Sequence, residues 1–300
     1  MPMLDDNKQK PARIMLYGVT KARKTMWAGT AAMAGFSVLV FDGDDGSHVL
    51  QQLPADARKR VAVLNTQDIH HGSEFLNFTL NAFEGREFAY HEASKKTYRR
   101  VNEKEKGSWF VHDGMFKMTT NDVLIVDSWS ALTTSMFHRY AENVPGVDLA
   151  NIDRFERDAY AWTQNSTRNL MATMHGLPCH IIVVAHEVIH EKYKGEGKNR
   201  ELEFSRIQPA ASSNNTSRLL GQHFSDIFRF RPDTVQQSTV DTGGRALVEG
   251  GSRIIAPGAF KFANYEMKPE DRFFFGDYAK KAGYRVDPDY KPPYRFVNVE

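Results

Sequence analysis

The hydrophobic positions of this chain fall into short, mostly unbroken runs. Residues 14–17, 37–41, 61–64, 123–126, 181–185, 227–230 and 253–256 are rich in Val and Ile and too short for helices. Runs that are apolar on both faces fit strands of a parallel sheet covered by helices on its two sides. Two segments between them carry helical signals. Residues 24–34 are rich in Ala and Met and close at Gly35, a residue suited to the left-handed turn that ends a helix. Residues 153–175 space Phe155, Tyr160, Leu170, Met171 and Met174 along a helical face and stop at Gly176, ahead of Pro178. Strand, loop, helix, strand is the repeating unit, which predicts an α/β fold with a mostly parallel sheet and helices on both faces.

Three stretches break the pattern. Residues 85–117 are polar, with a basic cluster at Lys95, Lys96, Arg99 and Arg100 followed by Trp109 and Phe110. They read as an inserted β-hairpin whose aromatics form a small local core or stack on bases. Residues 191–217 are charged and then Ser/Asn-rich, and predict a mobile loop. From about residue 261 the chain is rich in aromatics and Pro, and reads as an irregular tail. The expected organisation is a polar arm at 1–11, a core at 12–260 carrying the 85–117 insertion, and an extension at 261–300.

Composition narrows the partners. With 300 residues and 41% hydrophobic content the chain can bury a large core, as one α/β domain or as a core with an added piece. Its formal charge of +2 excludes a global electrostatic field for nucleic acid, so any such binding has to come from local basic patches. Cys179 is the single cysteine, so no disulfide forms within the chain. The polar start, MPMLDDNKQKPAR, lacks the apolar core of a signal peptide, and no apolar run reaches 18 residues. The expectation is a soluble protein of the cytoplasm with no membrane partner. Sequons such as Asn77-Phe78-Thr79 then carry no information.

The candidate chemistry begins at residues 13–25, RIMLYGVTKARKT. An apolar strand ends in Gly18, and Lys24 and Thr25 open an alanine-rich helix, the order of a phosphate-binding loop. In the intact motif backbone N–H groups wrap the phosphates, the Lys reaches the outer phosphates and the hydroxyl holds Mg²⁺. Gly18, Val19, Thr20, Lys21, Ala22, Arg23, Lys24 and Thr25 form the candidate loop, with Arg23 standing where the second glycine belongs. Asn121 to Ser128, NDVLIVDS, is an apolar strand ending in Asp127, the form of an acid that orders Mg²⁺. The strand at 37–41 runs into Asp42-Gly43-Asp44-Asp45. Carboxylates at the C-terminal edge of a parallel sheet lie where ligands bind, and one of them is a candidate to polarise an attacking water. His186, at the end of the 181–185 run, reaches the same edge and is a candidate sensor of the terminal phosphate.

A second chemistry overlaps this one. His186-Glu187-Val188-Ile189-His190 matches HExxH, the zinc-peptidase pattern, which needs both His on one helical face. The match follows IIVVA directly, in a β-branched segment, and in a strand the two His lose their one-turn spacing.

Together GVTKARKT, FDGDD, VLIVDS and VVAHE resemble the RecA-like P-loop ATPases, and most closely the phage-encoded nucleotide-binding proteins of the Sak group. The resemblance spans about residues 12 to 231, including Leu219-Leu220-Gly221 and Phe224-Ser225-Asp226-Ile227. It implies an ATP and Mg²⁺ site in which Lys24 and Thr25 bind phosphates and metal and Asp127 is the Walker B acid. Asp44 takes the position of the catalytic acid, where the family has Glu, and His186 is the γ-phosphate sensor. It implies that the His186 strand lies between the strands of the phosphate loop and Asp127. It also implies a homo-oligomer, ring or filament, with active sites between subunits, acting on single-stranded DNA alongside other phage replication or recombination proteins. The DNA-binding loops would be 131–148 and 187–217, the second offering Lys192, Lys194, Lys198 and Arg200 to DNA phosphates. Slow, DNA-stimulated ATP hydrolysis is the expected reaction, and an assembly module that binds nucleotide without turnover is the alternative.

Overall fold

The computed structural model describes residues 10–20, 22–66, 72–147, 156–194, 201–211, 216–217, 220–231, 253–255 and 274–300. The chain begins with β1 (Arg13–Gly18), α1 (Lys24–Gly29), β2 (Ser37–Asp42), α2 (Ala55–Arg58), β3 (Val61–Asn65) and α3 (Glu74–Phe83). An insertion follows with β4 (Phe88–His91), β5 (Lys96–Tyr98) and β6 (Gly107–His112). Then come β7 (Asp122–Asp127), α4 (Trp129–Asn143), α5 (Glu156–Gly176), β8 (His180–Lys194), β9 (Glu201–Pro209), β10 (Asp226–Arg231) and β11 (Arg253–Ile255). A helix, Phe275–Ala282, and β12 (Tyr294–Val299) complete the described residues.

The apolar runs become the main sheet, in the order β11, β10, β1, β8, β7, β2, β3. From β10 to β3 every neighbouring pair is parallel, while β11 and β9 add antiparallel to β10 and β8. All six residues of β1, β2 and β7 are buried, as expected for strands apolar on both faces. β8 lies between β1 and β7, the position implied by the resemblance.

Two cores follow from the alternation of side chains across these strands. Met15, Leu39, Leu124 and Ile181 face Phe75, Trp129, Met136 and Met171 of α3, α4 and α5. Ile14, Val40, Ile125 and Ile182 face the layer of α1 and the Phe275–Ala282 helix. Trp27 of α1 anchors that layer against Phe228, Phe230 and Phe275, with ring centroids 5.6, 6.1 and 5.9 Å away. Such aromatic pairs contribute about 0.5–1.5 kcal/mol each beyond their buried area. The predicted 24–34 helix is an α-turn segment to Gly29 that tightens to 3₁₀ geometry over Thr30–Ala34 and closes on Gly35 at φ 96°.

Three sequence expectations change. Residues 191–194 and 201–209 are strand, because β8 runs on past His186 and pairs antiparallel with β9 from Glu187↔Pro209 onward. Most of 131–148 is the helix α4: Ser128 accepts a hydrogen bond from the Ala131 N–H (3.1 Å), and Leu132, Met136 and Tyr140 repeat at helical spacing into the core. The tail is ordered where described, with a helix and a strand.

The insertion forms a second, antiparallel sheet in the order β12, β6, β4, β5, so the end of the chain closes one edge of it. Trp109 and Phe110 are fully buried there, which makes them core and removes them as base-stacking surfaces. On its way to β12 the chain passes under the main sheet. The Asp287 N–H donates to Asn121 Oδ1 (2.7 Å), and the Tyr290 hydroxyl donates to the Asp122 carboxylate. No helix among the described residues is long and apolar enough to cross a membrane.

Candidate functional site

Sheet register alone brings the candidates to one edge. Gly18, the last residue of β1, lies opposite His186 of β8, and Asp42 lies opposite Asp127. Parallel strands end together, so the loops that follow them share the C-terminal edge.

Gly18 is required by close packing. A Cβ on it would stand 2.0 Å from the Phe230 carbonyl oxygen of the neighbouring β10. The Ala22 N–H closes the loop onto the Val19 carbonyl (3.3 Å). Arg23 adopts φ 61°, ψ 25°, the left-handed conformation that the missing glycine would take freely. For a non-glycine residue this costs on the order of 1 kcal/mol. The loop therefore keeps its turn, with an exposed arginine at the corner. Thr20 is exposed as well, and Lys21 lies outside the described residues.

Lys24 is 6% exposed, and its ammonium donates to the carbonyls of Gly18 (3.0 Å) and Val19 (2.8 Å). Burial holds its pKa below the ordinary lysine value, while the charges of Asp127, Glu187 and Asp44 pull the other way. Thr25, one residue on, donates its hydroxyl to the Asp127 carboxylate. Burial pushes Asp127 up to about 7, helped by the charges of Asp42 and Asp44 and opposed by the Thr25 hydrogen bond and Lys24. The peptide joining Asp127 to Ser128 is cis.

The acidic loop after β2 sorts into distinct roles. Asp42 is fully buried and accepts the N–H groups of Asp44 (3.1 Å), Gly46 (3.2 Å) and Ser47 (2.9 Å), so it folds the loop. Asp45 Oδ1 accepts from the Asn65 side chain (2.6 Å). Asp44 Oδ2 stands 3.2 Å from His186 Nε2. Burial would raise the Asp44 carboxyl, but hydrogen bonds from His186 and Ser128 and the charges of His186 and Lys24 hold it below the usual range. It is thus ionised at neutral pH, as a group that orients water or accepts a proton must be.

Two supporting side chains escape a reading of the sequence. Ser130, in the first turn of α4, accepts the His186 N–H (3.1 Å) and ties β8 to that helix at the sheet edge. Glu187 pairs with Arg229 of β10 (2.9 Å) beside it, both largely buried. Neither contact follows from a motif; each joins strands or helices distant in sequence. Of the tentative DNA contacts, Lys192 and Lys194 fall on β8 by their backbone, and their side chains, like Lys198 and Arg200, lie outside the described residues. HEVIH is strand, which sets His186 and His190 about 13 Å apart along the chain. The strand lacks the one-turn spacing that the zinc pattern uses, and among the described residues no three His, Cys, Asp or Glu side chains gather as metal ligands.

The residues present fit a nucleoside triphosphate with Mg²⁺. Asp127 is a buried carboxyl that a cation would ionise. The space beside it is bordered by Gly46, where a Cβ would come within 3.7 Å of Asp127 Oδ2 and 3.8 Å of Thr25 Oγ1. Lys24 and the loop N–H groups would hold phosphate oxygens, and Thr25 and Asp127 the metal. Bound Mg²⁺ supplies neutralisation of charge developing on the phosphates.

No curated protein matches the chain. The profile of an AAA domain matches residues 10–254, from the strand before the phosphate loop to the last strand of the main sheet, and the chain belongs to that family.

Proposed function

We propose that the protein binds ATP with Mg²⁺ and hydrolyses it slowly while acting on single-stranded DNA in phage recombination, annealing or repair. The observation that carries the nucleotide reading is the meeting of Lys24, Thr25 and Asp127 with the Asp44 and His186 pair at one sheet edge. Lys24 and Thr25 bind, Asp127 gathers the metal, Asp44 positions the attacking water, and His186 reports the terminal phosphate to β8. The DNA reading draws on the resemblance to the Sak group and on the β8 and β9 hairpin that leaves this edge with Lys192 and Lys194 on its backbone. A homo-oligomer belongs to the same reading.

Phosphate release by wild type and Lys24→Ala, each with and without single-stranded DNA in Mg²⁺, tests it. Release that rises with DNA and disappears in the variant is the expected result. No nucleotide binding by wild type overturns it. The contact between Asp44 and His186 also favours a second reading, in which nucleotide is an assembly ligand and the short acid, already paired, turns nothing over. That reading predicts ATP-dependent oligomerisation by light scattering with no phosphate release.

A further inference from the structure

The basic cluster of the insertion has no part in the nucleotide site. Residues 92–106 hold six basic and three acidic side chains, a more positive balance than the +2 of the entire chain. Lys95, Lys96, Arg99, Arg100, Lys104 and Lys106 are all exposed. Among the described residues none of the six forms an ion pair. Of the three acids, Glu105 is turned inward, accepting from the Tyr98 hydroxyl (2.8 Å) and standing 3.3 Å from His91.

The fold collects these charges along one end and one edge of the small sheet. β5 is its free edge strand, with Lys96 at its start and Arg99 and Arg100 just past its end. His91 gathers the two loops at the other end: its carbonyl accepts the Lys95 N–H (2.8 Å), and its Nε2 lies 3.1 Å from the Lys106 carbonyl. Lys95 Nζ in turn donates to Asn65 Oδ1 (3.2 Å), and Asn65 holds Asp45. Lys95, at this end of the cluster, thus stands next to the acidic loop that carries Asp44.

We infer that this edge of the inserted sheet binds the sugar–phosphate backbone of single-stranded DNA. The partner follows from the chemistry of the surface. Exposed Lys and Arg side chains with no ion pair among the described residues suit a flexible polyanion, where each contact releases a counterion. With Trp109 buried beneath them, the surface offers charge in place of a stacking platform, so recognition is independent of base sequence. The inference rests on the proposed action on single-stranded DNA and places its contacts on an element outside the two loops implied by the resemblance.

The test is fluorescence anisotropy of a labelled single-stranded oligonucleotide of mixed sequence, titrated at several salt concentrations, with duplex of the same sequence as a second arm. Wild type is compared with a variant carrying Lys96→Ala, Arg99→Ala, Arg100→Ala and Lys104→Ala. The expected result is at least tenfold weaker single-strand binding, with the salt slope reduced by about 3 at ~0.7 per single-strand phosphate contact. Melting temperature controls for folding, and a Gln set at the same four positions keeps the aliphatic stems if the Ala set unfolds. Equal affinity of wild type and variant overturns the inference while leaving DNA action standing, with contacts elsewhere. Preference of wild type for duplex, lost in the variant, overturns the single-strand assignment. Wild type that binds ATP but no DNA at low salt overturns both this inference and the DNA reading beneath it.

Discussion

His186 Nε2 stands 3.2 Å from Asp44 Oδ2, across 142 residues of chain, and joins β8, at the last residue that pairs with β1, to the loop after β2. The pair links a strand between the phosphate loop and Asp127 to Asp44, whose carboxyl the His186 and Ser128 hydrogen bonds and the charges of His186 and Lys24 hold below the usual range. Asp44→Asn keeps the shape and removes the charge. Phosphate release is expected to fall by about 10²-fold or more, with nucleotide affinity within a few fold of wild type. Unchanged turnover would exclude Asp44 as the acid that acts on water.

Arg23 at φ 61° gives a second expectation. Arg23→Gly removes a left-handed strain on the order of 1 kcal/mol, offset in part by the greater freedom of glycine in the unfolded chain. The melting temperature should hold or rise slightly, and ATP affinity by titration calorimetry should hold or strengthen. A large loss of affinity would identify the Arg23 guanidinium as a phosphate ligand.

Gly18→Ala acts in the opposite direction. The added methyl would meet the Phe230 carbonyl oxygen at 2.0 Å and the Phe230 carbonyl carbon at 2.9 Å, so β1 and β10 would have to part. Overpacking of this kind costs about 1–3 kcal/mol, and urea denaturation should show it, together with weaker nucleotide binding. A variant as stable as wild type would mean that the two strands separate there without penalty.

Much of this architecture is legible in the sequence because its signals are local. β1, β2, β7 and residues 181–185 of β8 are apolar on both faces, and the residues that end or follow those runs are Gly18, Asp44, Asp127 and His186. Roles within the acidic loop are less legible, since Asp42, Asp44 and Asp45 look alike until the fold sends one to backbone N–H groups, one to His186 and one to Asn65. The β8 and β9 hairpin hides for a related reason: its charged residues match a solvated loop, and only pairing between strands makes it a ribbon. The tail escapes most fully, because β12 is a strand through its partner β6, almost two hundred residues earlier in the chain.

The same tail supplies a pH test remote from the nucleotide edge. Asp122 is fully buried at the start of β7, where Oδ2 accepts the Thr119 N–H (2.8 Å) and the Tyr290 hydroxyl, and Oδ1 has no hydrogen-bond partner among the described residues. Burial raises its carboxyl from 3.8 to about 6, against the pull of those two hydrogen bonds. The folded protein therefore keeps a proton that the unfolded chain has released. That contribution to stability is complete below about pH 4 and is lost as pH rises through about 6. At roughly 1.4 kcal/mol per unit, the loss amounts to at most about 3 kcal/mol. Asp122→Asn is neutral throughout and still offers an oxygen to Thr119 and Tyr290, so it lacks this slope. Urea denaturation of both proteins between pH 4 and 7 should show wild type losing ground to the variant as pH rises, most steeply at about pH 5, midway between the unfolded and folded values, and levelling off above about 6. Parallel curves would mean that Asp122 titrates alike in the folded and unfolded chain, and that Tyr290 is held there by packing alone.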